Sequence, residues 1–84
     1  MAVVTLYTTE ACPLCVGAKT LLARRGIAYQ EINLARDPDG REELARRTGM
    51  ITFPQIVIDG QTLGGFQELR AADRDGRLKQ LLAA

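Results

Sequence analysis

A chain of 84 residues holds one small domain whose core buries about 60% of the unfolded surface, and it leaves no room for a second. With 46% apolar and 25% charged residues, it reads as an ordinary globular protein rather than a disordered chain or a disulfide-stapled scaffold. Eleven basic and ten acidic residues are interleaved to a net charge of +1, which offers no field for a nucleic acid partner, and histidine, the usual general base and imidazole ligand, is absent.

No apolar run approaches a membrane span, so no membrane partner is expected. The opening Met1–Tyr7 lacks a basic leader and a small-residue cleavage site, and a cytoplasmic location is therefore expected. Val3–Thr8 is β-branched and aromatic on both alternating faces, as in a central strand. From Pro13, apolar residues at Leu14, Cys15, Ala18, Leu21 and Leu22 recur with helical spacing as far as Gly26, a natural residue to follow a helix end at Arg24-Arg25. Ile27–Leu34 alternates like a strand, and a strand-helix-strand run with so short a linker implies a parallel crossover.

Asp37-Pro38 opens a second helix that runs to Gly49, with Glu42/Arg46 and Glu43/Arg47 spaced as i, i+4 pairs on a solvated face. Pro54–Ile58 is a strand with proline at its start. Asp59-Gly60 predicts a two-residue hairpin that returns Gln61–Leu63 antiparallel. After Gly64-Gly65, Phe66–Asp73 reads as a short helix; Asp75-Gly76 breaks it, and Leu78, Leu81 and Leu82 mark a terminal helical turn or two.

The two cysteines of the chain stand at Cys12 and Cys15, three apart, at the head of the first helix. In a cytoplasmic protein that spacing points to redox or metal chemistry. A closed zinc site needs four ligands, and two thiols without a histidine do not supply them, so no metal is expected. A thiolate is the attacking species, and a free thiol with a pKa of about 8.5 is mostly protonated in the cell. At the N-cap, Cys12 would face unpaired backbone N–H groups and the positive end of the helix dipole, with Lys19 as a weaker, screened aid. Cys12 is expected to attack, and Cys15, on the apolar side of the helix, to resolve the mixed disulfide. Pro13 removes one backbone donor and stiffens the turn.

The segments Tyr7-Thr8, Cys12-Pro13-x-Cys15, Thr52-Phe53-Pro54-Gln55-Ile56 and Gly64-Gly65-Phe66-Gln67-Glu68-Leu69 span nearly the whole chain. In that order and spacing they resemble a dithiol glutaredoxin of the thioredoxin superfamily. The resemblance implies an α/β, thioredoxin-like three-layer fold: a four-stranded mixed sheet in the order β-α-β-α-β-β-α, with helices on both faces, as one domain over residues 1–84. It also implies a monomeric enzyme, without a tightly bound cofactor, that reduces disulfide-containing and glutathionylated proteins with glutathione as cosubstrate. Thr52, Phe53 and a cis Pro54 would face the dithiol and pair with the glutathione backbone. The N–H groups of Gly65, Phe66 and Gln67 would hold its glutamyl carboxylate, and Arg41 would meet its glycyl carboxylate.

Some positions depart from the family pattern. Thr9 and Ile51 stand where relatives often carry a lysine and an arginine for glutathione carboxylates. Gln67 stands where an acid often meets the glutathione amine, with Glu68 beside it, and Leu14 replaces a frequent aromatic. Phe66 suits a core aromatic as well as a substrate contact. Two other readings use the same dithiol. One is a glutaredoxin-like redoxin that reduces ribonucleotide reductase and is recharged by thioredoxin reductase. The other is an iron–sulfur binding module assisted by glutathione, against which Pro13 and the second cysteine argue.

Overall fold

Val4, Leu6 and Thr8 alternate with half-exposed Thr5 and Tyr7 along the first strand, β1 (Val4–Thr8), which lies inside the sheet. The computed structural model describes residues 2–83; Met1, where the leader reading begins, and Ala84, the end of the single-domain reading, lie outside the described residues. After β1 come α1 (Pro13–Arg24), β2 (Gln30–Asn33), α2 (Pro38–Thr48), β3 (Gln55–Ile58), β4 (Gln61–Gly64), α3 (Phe66–Asp75) and α4 (Arg77–Ala83). Strand order is β2-β1-β3-β4. β2 runs parallel to β1, and β3 and β4 are antiparallel to their neighbours, so the expected mixed sheet is present.

Residues of one sheet face, Val4, Leu6, Ile56 and Ile58, join Ala18 and Leu22 of α1, Leu69 and Ala72 of α3, and Leu78 of α4 in a single buried cluster. Each such Leu or Ile contributes roughly 1.5–3 kcal/mol by leaving water. The other face meets α2. There Thr48 Oγ1 lies 2.9 Å from Gln55 Oε1, and Arg47 Nη2 donates to Tyr7 Oη at 3.2 Å. The layers are thus helix, sheet, helix.

Helix ends follow the sequence signals. Gly26, at φ 67°, closes α1: its N–H donates to Ala23 O at 3.1 Å, and Ile27 N–H donates to Leu22 O at 2.9 Å. This double bond pattern is the left-handed glycine stop. It also shortens β2, because Ile27 is tied to the end of α1 and strand pairing begins only at Gln30 opposite Thr5. Asp37 caps α2 through Gly40 N–H at 2.9 Å, and Gly49 ends it at φ 74°. The surface pairs of α2 are rearranged relative to the expectation. Arg46 takes both Glu43 at 2.8 Å and Glu42 at 3.9 Å, whereas Arg47 reaches across the surface to Tyr7, so the Glu43/Arg47 pair does not form. Asp59 and Gly60 both have positive φ, 51° and 80°, as the expected tight hairpin requires. A register shift between Ile56 and Val57 leaves Leu63 as the extra residue of β4. α3 runs two residues beyond the expected end, to Asp75, before Gly76 at φ 88° separates it from α4.

Candidate active site

The dithiol sits where β1 hands over to α1. Ala11, with φ 50°, makes the reversal, and Cys12 follows in extended conformation as the N-cap, with Pro13 in the first turn. An alanine in the left-handed region costs about 1–2 kcal/mol, a cost set against delivering Cys12 to the helix terminus. Cys12 and Cys15 are joined as a disulfide with Cα atoms 5.2 Å apart, within the usual range for that bond.

The two sulfurs have unequal surroundings. Cys15 is 2% exposed, whereas Cys12 is half-buried at the surface. Cys15 N–H donates to Cys12 Sγ at 3.1 Å. When the bond is reduced, that amide and the helix dipole are placed to stabilise a thiolate at Cys12. The expected help from Lys19 is offset, since its ammonium lies 3.3 Å from Glu31, which also accepts from Thr8 Oγ1 at 2.8 Å.

Opposite the dithiol lies the loop between α2 and β3. The Phe53–Pro54 peptide is cis, as expected, and Phe53 O is 3.8 Å from Cys12 Sγ. Sequence reasoning did not single out the residue that holds this loop, Gln55. Its buried amide donates to Met50 O and Thr52 O, each at 3.0 Å. A polar residue inside the strand run Pro54–Ile58 was the available signal.

Arg41 lines a groove of about 330 Å³ with Met50, Ile51 and Phe53, so the fold does bring it to the same groove as Phe53. Its Nη1 is already engaged, donating to Leu34 O at 2.6 Å and Ala35 O at 2.9 Å. Ile51 is 84% exposed on the same groove, and Thr52 is exposed next to it. At the start of α3, Gly65 N–H donates to the Glu68 carboxylate at 2.6 Å. The Gly65 amide is therefore occupied from within the chain, and the amides of Phe66 and of exposed Gln67 are the next in the first turn. The Phe66 ring packs over Gly17, where an added Cβ would stand 3.1 Å from its Cζ, and Arg70 lies 5.7 Å above the ring. Its side chain thus belongs to the α1–α3 contact, and what it presents to the site is its backbone.

A disulfide with one sulfur at the surface, the other buried beneath it and the Phe53 carbonyl 3.8 Å from the outer one is arranged for disulfide exchange. Comparisons with known proteins agree with that arrangement. The family model for glutaredoxins matches residues 4–63. A glutaredoxin of Pseudomonas aeruginosa is 46% identical over 84 residues, covering 100% of both chains. Glutaredoxin 3 of Escherichia coli K12 is 45% identical over 82 residues, covering 98% of this chain and 99% of its own. Among solved structures, a glutaredoxin from Brucella melitensis superposes with a TM-score of 0.87 at 43% identity, covering 98% of this chain and 89% of that one. A buckwheat glutaredoxin–glutathione complex superposes at 0.89 with 29% identity, covering 98% and 77%.

Proposed function

The chain belongs to the glutaredoxin family, and from that premise we propose how its residues divide the work of a glutathione-dependent thiol–disulfide oxidoreductase. The observation that carries the division is the asymmetry of the sulfurs: Cys12 caps the helix at the surface, and Cys15 lies beneath it at 2% exposure. Cys12 thiolate attacks one sulfur of a mixed disulfide, forms a new S–S bond and expels the substrate thiolate. For a glutathionylated protein, a second glutathione thiolate then attacks the sulfur of the glutathione held on Cys12, forming glutathione disulfide and expelling the Cys12 thiolate. For a protein disulfide, Cys15 displaces the substrate's second sulfur and closes the intramolecular bond, which two glutathione molecules reopen.

Glutathione is the thiol substrate. Its backbone would pair along Thr52, Phe53 and Pro54, supported by the short reach from Phe53 O to Cys12. Its glutamyl carboxylate would sit at the α3 terminus on the amides of Phe66 and Gln67, with Gly65 joining once Glu68 swings away. Arg41, in the groove beside Phe53, would serve the glycyl end. We read residues 1–84 as one monomeric domain acting in the cytoplasm on protein disulfides; among the described residues no helix is long and apolar enough to cross a membrane.

Two substitutions test the division. Cys12→Ser should abolish every activity, whereas Cys15→Ser should lose protein-disulfide reduction and keep deglutathionylation. Equal loss from both in a glutathione mixed-disulfide assay overturns it. The electron donor is tested by recovering the oxidised protein with glutathione plus glutathione reductase, and in parallel with thioredoxin reductase and NADPH alone. Recovery confined to the second assay would replace glutathione as the donor and make ribonucleotide reductase the target to examine.

A further inference from the structure

The chain carries eleven cations. Lys19, Arg25, Arg46 and Arg77 are in ion pairs, Arg41 is bound to two carbonyls, and Arg47 donates to Tyr7. Of the five that remain without such a partner among the described residues, only Arg36 lies elsewhere. Arg24, Arg70, Arg74 and Lys79 line adjoining grooves between α1, α3 and α4.

The first groove, about 400 Å³, starts at Gly17 and Phe66 beside the dithiol end of α1 and runs to Arg24 and Arg25. A second, about 490 Å³, continues from Arg25 and Asp73 over Ile27, Leu78 and Leu82 to Lys79. Asp73 is the one acid along both, and it is taken by Arg25, whose guanidinium lies 2.9 Å from each Asp73 oxygen. Helix-dipole complementarity accounts for Arg24 and Arg74, each in the last turn of its helix. It does not account for Arg70 in mid-helix, which lies over the Phe66 ring, or for the gathering of all four charges along adjoining grooves.

We propose that this groove docks an acidic, extended segment of the protein substrate, placed so that the substrate's disulfide meets Cys12; the proposal rests on the reading of the chain as a protein-disulfide reductase. Spacing and floor both suit such a segment. Arg70 and Arg74 are i, i+4 on α3 and stand about 6 Å apart, close to the separation of about 6.6 Å between alternate side chains of an extended strand. Leu21 and the Phe66 ring supply an apolar floor for the residues between. From Cys12 to Arg24 the helix rises about 18 Å, which an extended chain covers in about five residues. Acidic residues should therefore stand about five positions from the target cysteine.

The test compares two disulfide-bonded peptides, one with alternating glutamates about five residues from its cysteine and one with glutamines there, alongside a small glutathione mixed disulfide. The expected result is a kcat/KM about tenfold higher for the acidic peptide at low salt, declining as ionic strength rises from about 0.01 to 0.15 M. The double variant Arg24→Glu/Arg74→Glu should erase that advantage and leave the small substrate unchanged, which also shows that the fold is intact; Arg24→Gln/Arg74→Gln should fall between. An acidic peptide no better than the neutral one, or an advantage that survives the double reversal, overturns the proposal. A labelled, cysteine-free acidic peptide titrated onto the oxidised protein reads the groove without any turnover. If none of the disulfides is reduced yet this peptide binds and the double reversal releases it, the enzymatic reading fails and the docking surface stands. Tighter binding of an oligonucleotide of equal charge would reassign the groove to nucleic acid and overturn the proposal.

Discussion

On the proposed division of labour, Cys12 becomes a nucleophile through its address rather than through a neighbouring base. Cys12 has Cys15 N–H on its sulfur at 3.1 Å, and Lys19, the nearby cation expected to help, is shared with Glu31. The activation is therefore a property of the helix terminus, and Cys12 should titrate well below the free value of about 8.5. Thiolate absorbance followed against pH in the reduced protein measures this; a midpoint at or above the free value would show that the terminus does not activate the sulfur. Lys19→Ala should move that midpoint little. A second residue-scale expectation concerns Thr9 and Ile51, the latter 84% exposed beside Phe53. Thr9→Lys with Ile51→Arg adds two exposed charges, each worth about 0.2–1 kcal/mol. The KM for glutathione should fall about two- to thirtyfold and become more sensitive to salt.

At the scale of elements, the loop from Gly49 to Phe53 is held in place by a residue of the strand that follows it. Gln55 spends both of its amide hydrogens on that loop, at Met50 O and Thr52 O, while its oxygen lies 2.9 Å from the hydroxyl of Thr48 at the end of α2. Gln55→Leu keeps the volume but strips the Met50 carbonyl of its donor, a loss of about 1–3 kcal/mol that urea unfolding would measure. The KM for glutathione mixed disulfides should rise severalfold while the Cys12 titration stays put, because the loop and the helix terminus are separate devices. The α3–α4 junction has its own acid sensitivity. Arg77 N–H donates to Asp75 at 2.9 Å, and this bond, aided by the Arg77 guanidinium, holds the Asp75 carboxyl below the usual carboxylate range. A depressed folded pKa means stability that is present above the unfolded value, about 3.9, and lost as pH falls through the folded one. Asp75→Asn should lower stability modestly at neutral pH, leave the strongly acid end nearly unchanged, and so flatten the acid limb of the stability profile.

For the whole molecule, one layer of side chains does most of the joining. Leu69 is fully buried where α3 meets α1 and the sheet, in the cluster with Leu6, Leu22 and Ile56. Leu69→Ala should cost about 2–5 kcal/mol, a large share of the roughly 4–13 kcal/mol typical of a chain of this size. Urea unfolding followed by circular dichroism would record it, and a midpoint near the wild-type value would mean that the cluster relaxes around the gap. On the proposed binding of glutathione at the amides of Phe66 and Gln67, and with Arg70 on the groove, loosening α3 should raise KM for every substrate.

Much of this was already written in local sequence. Strand alternation, the glycine stops at Gly26, Gly49 and Gly76, the Asp37 cap and the Asp59-Gly60 turn are decided by backbone sterics and hydrogen bonds within a few residues, so they survive any tertiary context. The position of Cys12 at a helix terminus is local in the same sense. The partners of long polar side chains were not legible, whether distant in sequence, as with Tyr7 rather than Glu43 for Arg47 and Glu31 for Lys19, or only three and five residues away, as with Glu68 on the Gly65 amide and Gln55 on Met50. Side chains of that length reach several partners of similar energy, and the backbone around them selects one. The gathering of Arg24, Arg70, Arg74 and Lys79 belongs to that class. In sequence they are scattered among acids; the packing of α1, α3 and α4 on one sheet face brings them to adjoining grooves.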